Sequence, residues 1–158
     1  MQSTIRFAVD GMLGRLAKYL RALGYDTVHR RTPSAEFLRE ARREGRVFIT
    51  LRKNIREKHG CKVFDPGEAP VEAQLYRVVH GLNLEPSRDQ ILTICLGCNE
   101  PTLEVSVEEV AAKVPERVRE KISDYRICPK CGKIFWWGSH ADRMMNVIEK
   151  SGVFESAE

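Results

Sequence analysis

The spacing of the hydrophobic residues changes once, at Asp10, and that change decides what the first part of the chain folds into. Ile5, Phe7, Ala8 and Val9 form a short apolar run with the length and composition of a buried strand. From Met12 onward, Met12, Leu13, Leu16, Ala17, Leu20 and Leu23 fall on one stripe at helical spacing, with Arg15, Lys18 and Arg21 off it. Gly24 suits the end of that helix. Asp10 therefore stands where a strand ends and a helix begins, the crevice in which open α/β sheets bind ligands. An aspartate at this place equally suits a helix N-cap.

The alternation continues beyond Gly24. Asp26 to His29 reads as a second strand, and Ser34 as the cap of a helix whose apolar side is Phe37, Leu38 and Ala41, stopped by Gly45. Val47 to Thr50 forms a third strand, followed by a short basic helix over 52–58 that Gly60 stops. Lys62, Val63 and Phe64 make a fourth, ending at the turn residues Asp65-Pro66-Gly67. Pro70 then opens an amphipathic helix with Val71, Leu75, Val78 and Val79 inward. Strands alternating with helices predict a mostly parallel sheet flanked by helices on both faces. A shift in composition between Gly81 and Asp89 divides an α/β domain over 1–85 from a smaller domain over 86–158.

The smaller part carries the cysteines. Cys95-Leu96-Gly97-Cys98 and Cys128-Pro129-Lys130-Cys131 are two C-x-x-C pairs, with Gly97 and Gly132 giving room for tight turns around a thiolate. Four soft ligands in two such knuckles are what a structural Zn²⁺ takes, and a closed four-cysteine site holds the fold without doing chemistry. The 29 residues between the pairs are taken up by two short helices on either side of Pro115. Cys61 lies outside both pairs and reads as a small buried residue. Phe135, Trp136 and Trp137 follow the second pair, then a helix from Ala141 to Lys150 with Ser139 as its cap. Such aromatics stack unpaired bases or dock a metal module on its neighbour. His140 suits a phosphate contact or a structural role.

Charge points toward an anionic partner. Residues 1–60 hold 14 Lys and Arg against 6 Asp and Glu, a balance of +8, whereas residues 61–158 hold 12 against 16, a balance of −4. The basic part suits nucleic acid, although Arg39, Arg42 and Arg43 read equally well as a solvated helix face. No apolar run approaches the ~18 residues of a membrane span, and the N-terminus lacks a signal-peptide core. A cytoplasmic protein without a membrane partner is expected, its cysteines engaged with metal rather than in disulfides.

With these pieces assembled, the chain resembles the Mut-seven C-terminal RNase domain family, a branch of the PIN-like nuclease folds with a C-terminal zinc ribbon. The residues that carry the resemblance are Val9 to Thr27, Ala41 to Arg46, Phe48 to Thr50 and Gln74-Leu75. To these the second half adds Cys95 to Asn99 and Cys128 to Gly132, with Phe135, Trp136, Gly138, Ser139 and His140. The resemblance implies a PIN-like fold and RNA cleavage by a divalent ion, Mg²⁺ or Mn²⁺, at Asp10. Glu36 and Asp65 would be secondary acids, and Arg15, Lys18, Arg52 and Lys53 would hold phosphates. Trp136 and His140 would touch RNA from the ribbon. The family places an aspartate two residues after the threonine that ends the third strand, where this chain has Thr50-Leu51-Arg52. Its acidic pair before the second helix is replaced by Pro33-Ser34. Two readings follow: a metal-dependent ribonuclease, or a catalytically weak relative that binds RNA or a ribonucleoprotein. A module that binds a protein partner through its ribbon is a third.

Overall fold

Four short strands pair in parallel in the order β2–β1–β3–β4, where β1 is Phe7–Asp10, β2 Thr27–Arg30, β3 Val47–Ile49 and β4 Lys62–Phe64. The structure, a computed structural model, describes residues 5–53, 55 and 60–156. β1 and β3 are buried along their whole length because helices cover both faces, which is why their sequences run apolar without alternation. On one face α1 (Gly14–Ala22) and α3 (Val71–Gly81) close over Phe7, Val9 and Ile49 with Leu16, Leu20, Leu75 and Val78. On the other, α2 (Ala35–Arg43) sets Phe37, Leu38 and Ala41 against Ala8 and Phe48. Ser34 caps α2, its hydroxyl accepting from the Phe37 N–H at 3.2 Å. Of the basic helix expected over 52–58, residues 54 and 56–58 lie outside the described residues.

The chain leaves β1 toward β2, then returns past β1 to place β3 on its other side. The β1–β3 boundary is thus the point at which the strand order reverses, and the crevice at the carboxyl ends of those two strands is the sheet's natural binding position. A single 3-10 turn, Gly11–Leu13, joins β1 to α1. Asp10 flanks that turn without a side-chain capping bond, so its carboxylate is left for other work. Gly11 has no room for a side chain, since a Cβ there would lie 1.8 Å from the Arg31 carbonyl oxygen. The turn is therefore pressed against the end of β2.

The second half is built on an antiparallel sheet of β5 (Leu103–Val105), β6 (Tyr125–Ile127) and β7 (Ile134–Trp136). Two short helices, α4 (Val107–Val110) and α5 (Glu116–Arg119), fill the long insertion between the cysteine pairs, and Val110, Val114 and Tyr125 make its small core. α6 (Ser139–Lys150) packs on α3. It begins two residues earlier than its sequence suggests, with Gly138 in the cap position and Ser139 as the first helical residue. Ile91, Leu92, Cys95, Phe135, Met144 and Ile148 belong to the same apolar cluster as Phe7 and Leu20, so the two halves share one core. Among the described residues, no helix is long and apolar enough to cross a membrane.

Candidate nucleic-acid interface and metal centre

The register of the parallel sheet lines up one residue per strand at its carboxyl edge. Arg30 of β2 is paired with Asp10 of β1. Thr50 follows Ile49, which is paired with Val9 and Phe64, so Thr50 and Asp65 continue the row across β3 and β4. Asp10 is 1% exposed. Its Oδ2 accepts from the Thr50 hydroxyl at 2.8 Å and lies 3.0 Å from the Arg52 Nε. The Thr50 hydroxyl oxygen in turn accepts from the Arg52 backbone N–H at 3.0 Å. The other carboxylate oxygen, Oδ1, is buried without a hydrogen-bond partner. Thr50, with no charge to draw attention to it, is the part of this constellation that sequence reading missed; its signal is position, at the end of the strand beside β1.

The remaining predicted acids stand elsewhere along the edge. Glu36 is exposed in the first turn of α2. Asp65 accepts from the Gly67 N–H at 2.8 Å and pairs with Lys53 at 3.1 Å. These contacts hold its carboxyl below the usual range, the Gly67 N–H most of all. Two strand spacings, about 9–10 Å, separate its strand from that of Asp10. Among the described residues, the only set of three or more His, Cys, Asp or Glu side chains close enough to hold an ion is the cysteine set. Asp10, Glu36 and Asp65 do not form such a group. A divalent ion therefore does not fit at Asp10 as the edge stands: one buried carboxylate supplies the negative charge, and a guanidinium already faces it. Arg15 and Lys18 are exposed on α1.

The four thiols do converge. The sulfurs of Cys95, Cys98, Cys128 and Cys131 all lie within 4.8 Å of one another, and those of Cys95 and Cys131 are 3.8 Å apart. A tetrahedron with metal–sulfur bonds of about 2.3 Å has edges of about 3.8 Å, so the donor set and its spacing suit a structural metal such as zinc. Each knuckle closes on itself: Asn99 N–H donates to Cys95 O at 3.0 Å and Gly132 N–H to Cys128 O at 2.9 Å. Asn99 and Gly132, four residues after the first cysteine of each pair, hold φ of 61° and 76°. The expected role of Gly97 thus belongs to Asn99, and a Cβ at Gly97 would meet nothing. Burial raises the Cys128 thiol, but N–H groups of Cys131 and Lys130 outweigh it and bring the thiol down to about 7. Cys98, facing the Cys131 thiol, is pushed up to about 12.

The first knuckle is bolted to the opposite end of the sheet from Asp10. Asn99 accepts from the Thr27 N–H at 2.8 Å and donates to Asp26 Oδ1 at 2.7 Å. Arg21, on α1, donates to Thr27 O at 2.8 Å and to Leu96 O at 2.7 Å. Arg46 completes the cluster by donating to Asp26 at 2.8 Å. Three residues of β2, about 10 Å, separate this anchor from the level of Asp10. The aromatics divide accordingly. Phe135 is buried in the shared core, and Trp136 is half-buried against Tyr125, with ring centres 6.2 Å apart. Trp137 is 47% exposed at the mouth of a cleft of about 590 Å³ between the ribbon sheet and Ile91–Leu92. The side chain of His140 lies outside the described residues.

A family model described as Mut7-C RNAse domain matches residues 5–148, nearly the whole chain. The chain belongs to that family. No curated protein and no solved structure matches it. The match spans both the Asp10 edge and all four cysteines, and membership of an RNase family suggests a ribonuclease-like function and RNA as the ligand.

Proposed function

We propose that this member of the Mut7-C RNAse family binds single-stranded RNA along the carboxyl edge of its sheet and is weak or inactive as a metal-dependent nuclease there. The observation that carries the reading is the 3.0 Å approach of Arg52 to the buried Asp10 carboxylate. Hydrolysis of a phosphodiester by Mg²⁺ or Mn²⁺ needs carboxylates to hold the ion and position water. Here one carboxylate is neutralised by its own chain. Arg15, Arg30 and Arg52 make the edge cationic, which suits phosphate contacts without sequence preference. The four cysteines would hold zinc, whose chemistry is confined to bracing the fold, and thiolate ligation suits the reducing cytoplasm. The exposed Trp137 suits stacking with a base or docking on a ribonucleoprotein partner.

The buried, unpartnered Oδ1 of Asp10 favours the second reading, a ribonuclease that takes up Mn²⁺ or Mg²⁺ once Arg52 swings aside. Incubating the ion-loaded protein with labelled single-stranded RNA, with and without Mn²⁺, beside the Asp10→Asn variant separates the two. Salt-sensitive binding without cleavage is expected. Mn²⁺-dependent cleavage that the substitution abolishes would overturn the first reading in favour of the second.

A further inference from the structure

We infer that Arg52 is a phosphodiester-binding fork held in place by Asp10, through which the edge grips the RNA backbone without a divalent ion. The inference rests on the RNA-binding reading and names the group that does the gripping. The pair straddles the surface: Asp10 is 1% exposed and the Arg52 side chain 45%. The carboxylate thus lies beneath the guanidinium, which is left with an outer edge in water. Arg52 is fixed at two points, by its Nε beside Asp10 Oδ2 and by its backbone N–H on Thr50, which itself donates to the same Oδ2. Among the described residues the guanidinium meets Asp10 through Nε alone, so its Nη groups are unspent.

A planar fork with spare parallel donors matches two oxygens of a phosphate, and anchoring removes much of the rotamer entropy that a free arginine loses on binding. The neighbours suit the same ligand. Arg30 stands across from Asp10 on the adjacent strand, its guanidinium 5.8 Å from the centre of the Phe37 ring. Lys53 is already paired with Asp65 and adds less. Asp10 is in this account a positioning residue, acting on the ligand only through Arg52.

The test is fluorescence anisotropy with labelled single-stranded RNA and the full chain carrying its cysteine-bound ion, in buffer with and without added Mg²⁺. Wild-type binding is expected without Mg²⁺, and added Mg²⁺ should not strengthen it, acting only as a competing counterion. Arg52→Ala should weaken binding about tenfold, as for loss of a charged hydrogen-bonding group, and should lower the log–log salt slope by about 0.7, one phosphate's worth. Arg52→Lys should keep the slope and recover only part of the affinity. Arg39→Ala, an equal loss of charge on the exposed side of α2, should stay within about threefold. Asp10→Asn should weaken binding in the presence of Arg52 and not in the Arg52→Ala background, a coupling that a purely structural role would not produce. Arg52→Ala behaving like Arg39→Ala, equal effects of Asp10→Asn in both backgrounds, or binding that requires Mg²⁺ would each overturn the inference. A wild-type protein that binds no RNA would instead defeat the RNA-binding reading before any variant is made.

Discussion

Asn99→Ala should destabilise the protein well out of proportion to the size of the change. The side chain serves two partners: the buried Thr27 N–H at 2.8 Å and the part-exposed Asp26 carboxylate at 2.7 Å. Thr27 is fully buried, so its N–H is orphaned by the substitution, at a cost of about 1–3 kcal/mol. The Asp26 side chain is about a third exposed and keeps Arg46, so water replaces much of what it loses, and this part adds under about 1 kcal/mol. Alanine at a φ of 61° adds about 1 kcal/mol of backbone strain. The total is about 2–5 kcal/mol, or a fall in Tm of about 4–20 °C for a chain of this size. Asn99→Gly relieves the strain but not the lost contacts, and should recover about 1 kcal/mol. Thermal and urea unfolding of the ion-loaded protein, followed by circular dichroism, measures both. Hydrogen exchange at the Thr27 amide reports the orphaned donor directly. A variant within about 0.5 kcal/mol of wild type, or one in which Thr27 stays as protected as before, would refute the claim that the first knuckle is anchored through this residue.

Arg52→Asp should create a divalent site beside Asp10. A unit charge about 4 Å away at an effective dielectric of 20 is worth about 4 kcal/mol, so removing the arginine should raise Mn²⁺ affinity about a thousandfold or more, read by calorimetry against wild type. Gly11→Ala should displace the β1–α1 turn, because its Cβ would lie 1.8 Å from the Arg31 carbonyl oxygen; reduced thermal stability and weaker RNA binding are expected together, and a variant normal in both would remove the tight turn from the argument. The Asp26 carboxyl is raised by burial but lowered more by its bonds to Arg46 and Asn99, so its folded value lies below the unfolded one. Its stabilisation is therefore fully present above the unfolded carboxyl value of about 4 and is lost as pH falls through the folded value. Asp26→Asn should flatten that acid limb in urea titrations at successive pH values. Removing the ion from the cysteines should raise hydrogen exchange at Thr27 and Phe7 as well as within β5–β7, because Cys95 and Cys128 belong to the shared core; protection unchanged at Thr27 would show the two parts to be uncoupled.

The parallel sheet was legible because its evidence is local: a short apolar run gives way to helical spacing at Asp10, and glycine or proline turns follow β1 and β4. The thiolate set was legible because pairs of C-x-x-C leave few geometric choices. The Asp10 edge was legible only in part. Sequence put Arg52 near Asp10 by its distance from Thr50, but whether a guanidinium faces a carboxylate or water is decided by the turn between them, where Thr50 bonds both. The anchor of the first knuckle was not legible at all. Arg21 and Leu96 are 75 residues apart and Thr27 and Asn99 are 72 apart, and nothing in the spacing of either pair betrays the contact. Asn99 offered a faint signal, as an asparagine where the second knuckle has Gly132, both residue types that tolerate positive φ.

Opposite ends of β2 solve one electrostatic problem in two ways, and the difference fixes how each should respond to its surroundings. At the carboxyl end a buried carboxylate is neutralised by a guanidinium of the same chain, a counter-ion whose local concentration no ionic medium changes. At the other end four thiols need a counter-ion from solution. The Asp10 edge should therefore feel salt, which screens its contacts with phosphate, and take up no Mg²⁺ or Mn²⁺ of its own. The knuckles should feel soft metals and oxidants, and stay indifferent to salt. β2 connects the two ends, with Asn99 on the N–H of its first residue and Arg30 at its last. Loss of the ion should thus loosen the strand that carries Arg30 without touching Arg52, and RNA affinity should fall by the share that Arg30 supplies while the effect of Arg52→Ala stays the same size.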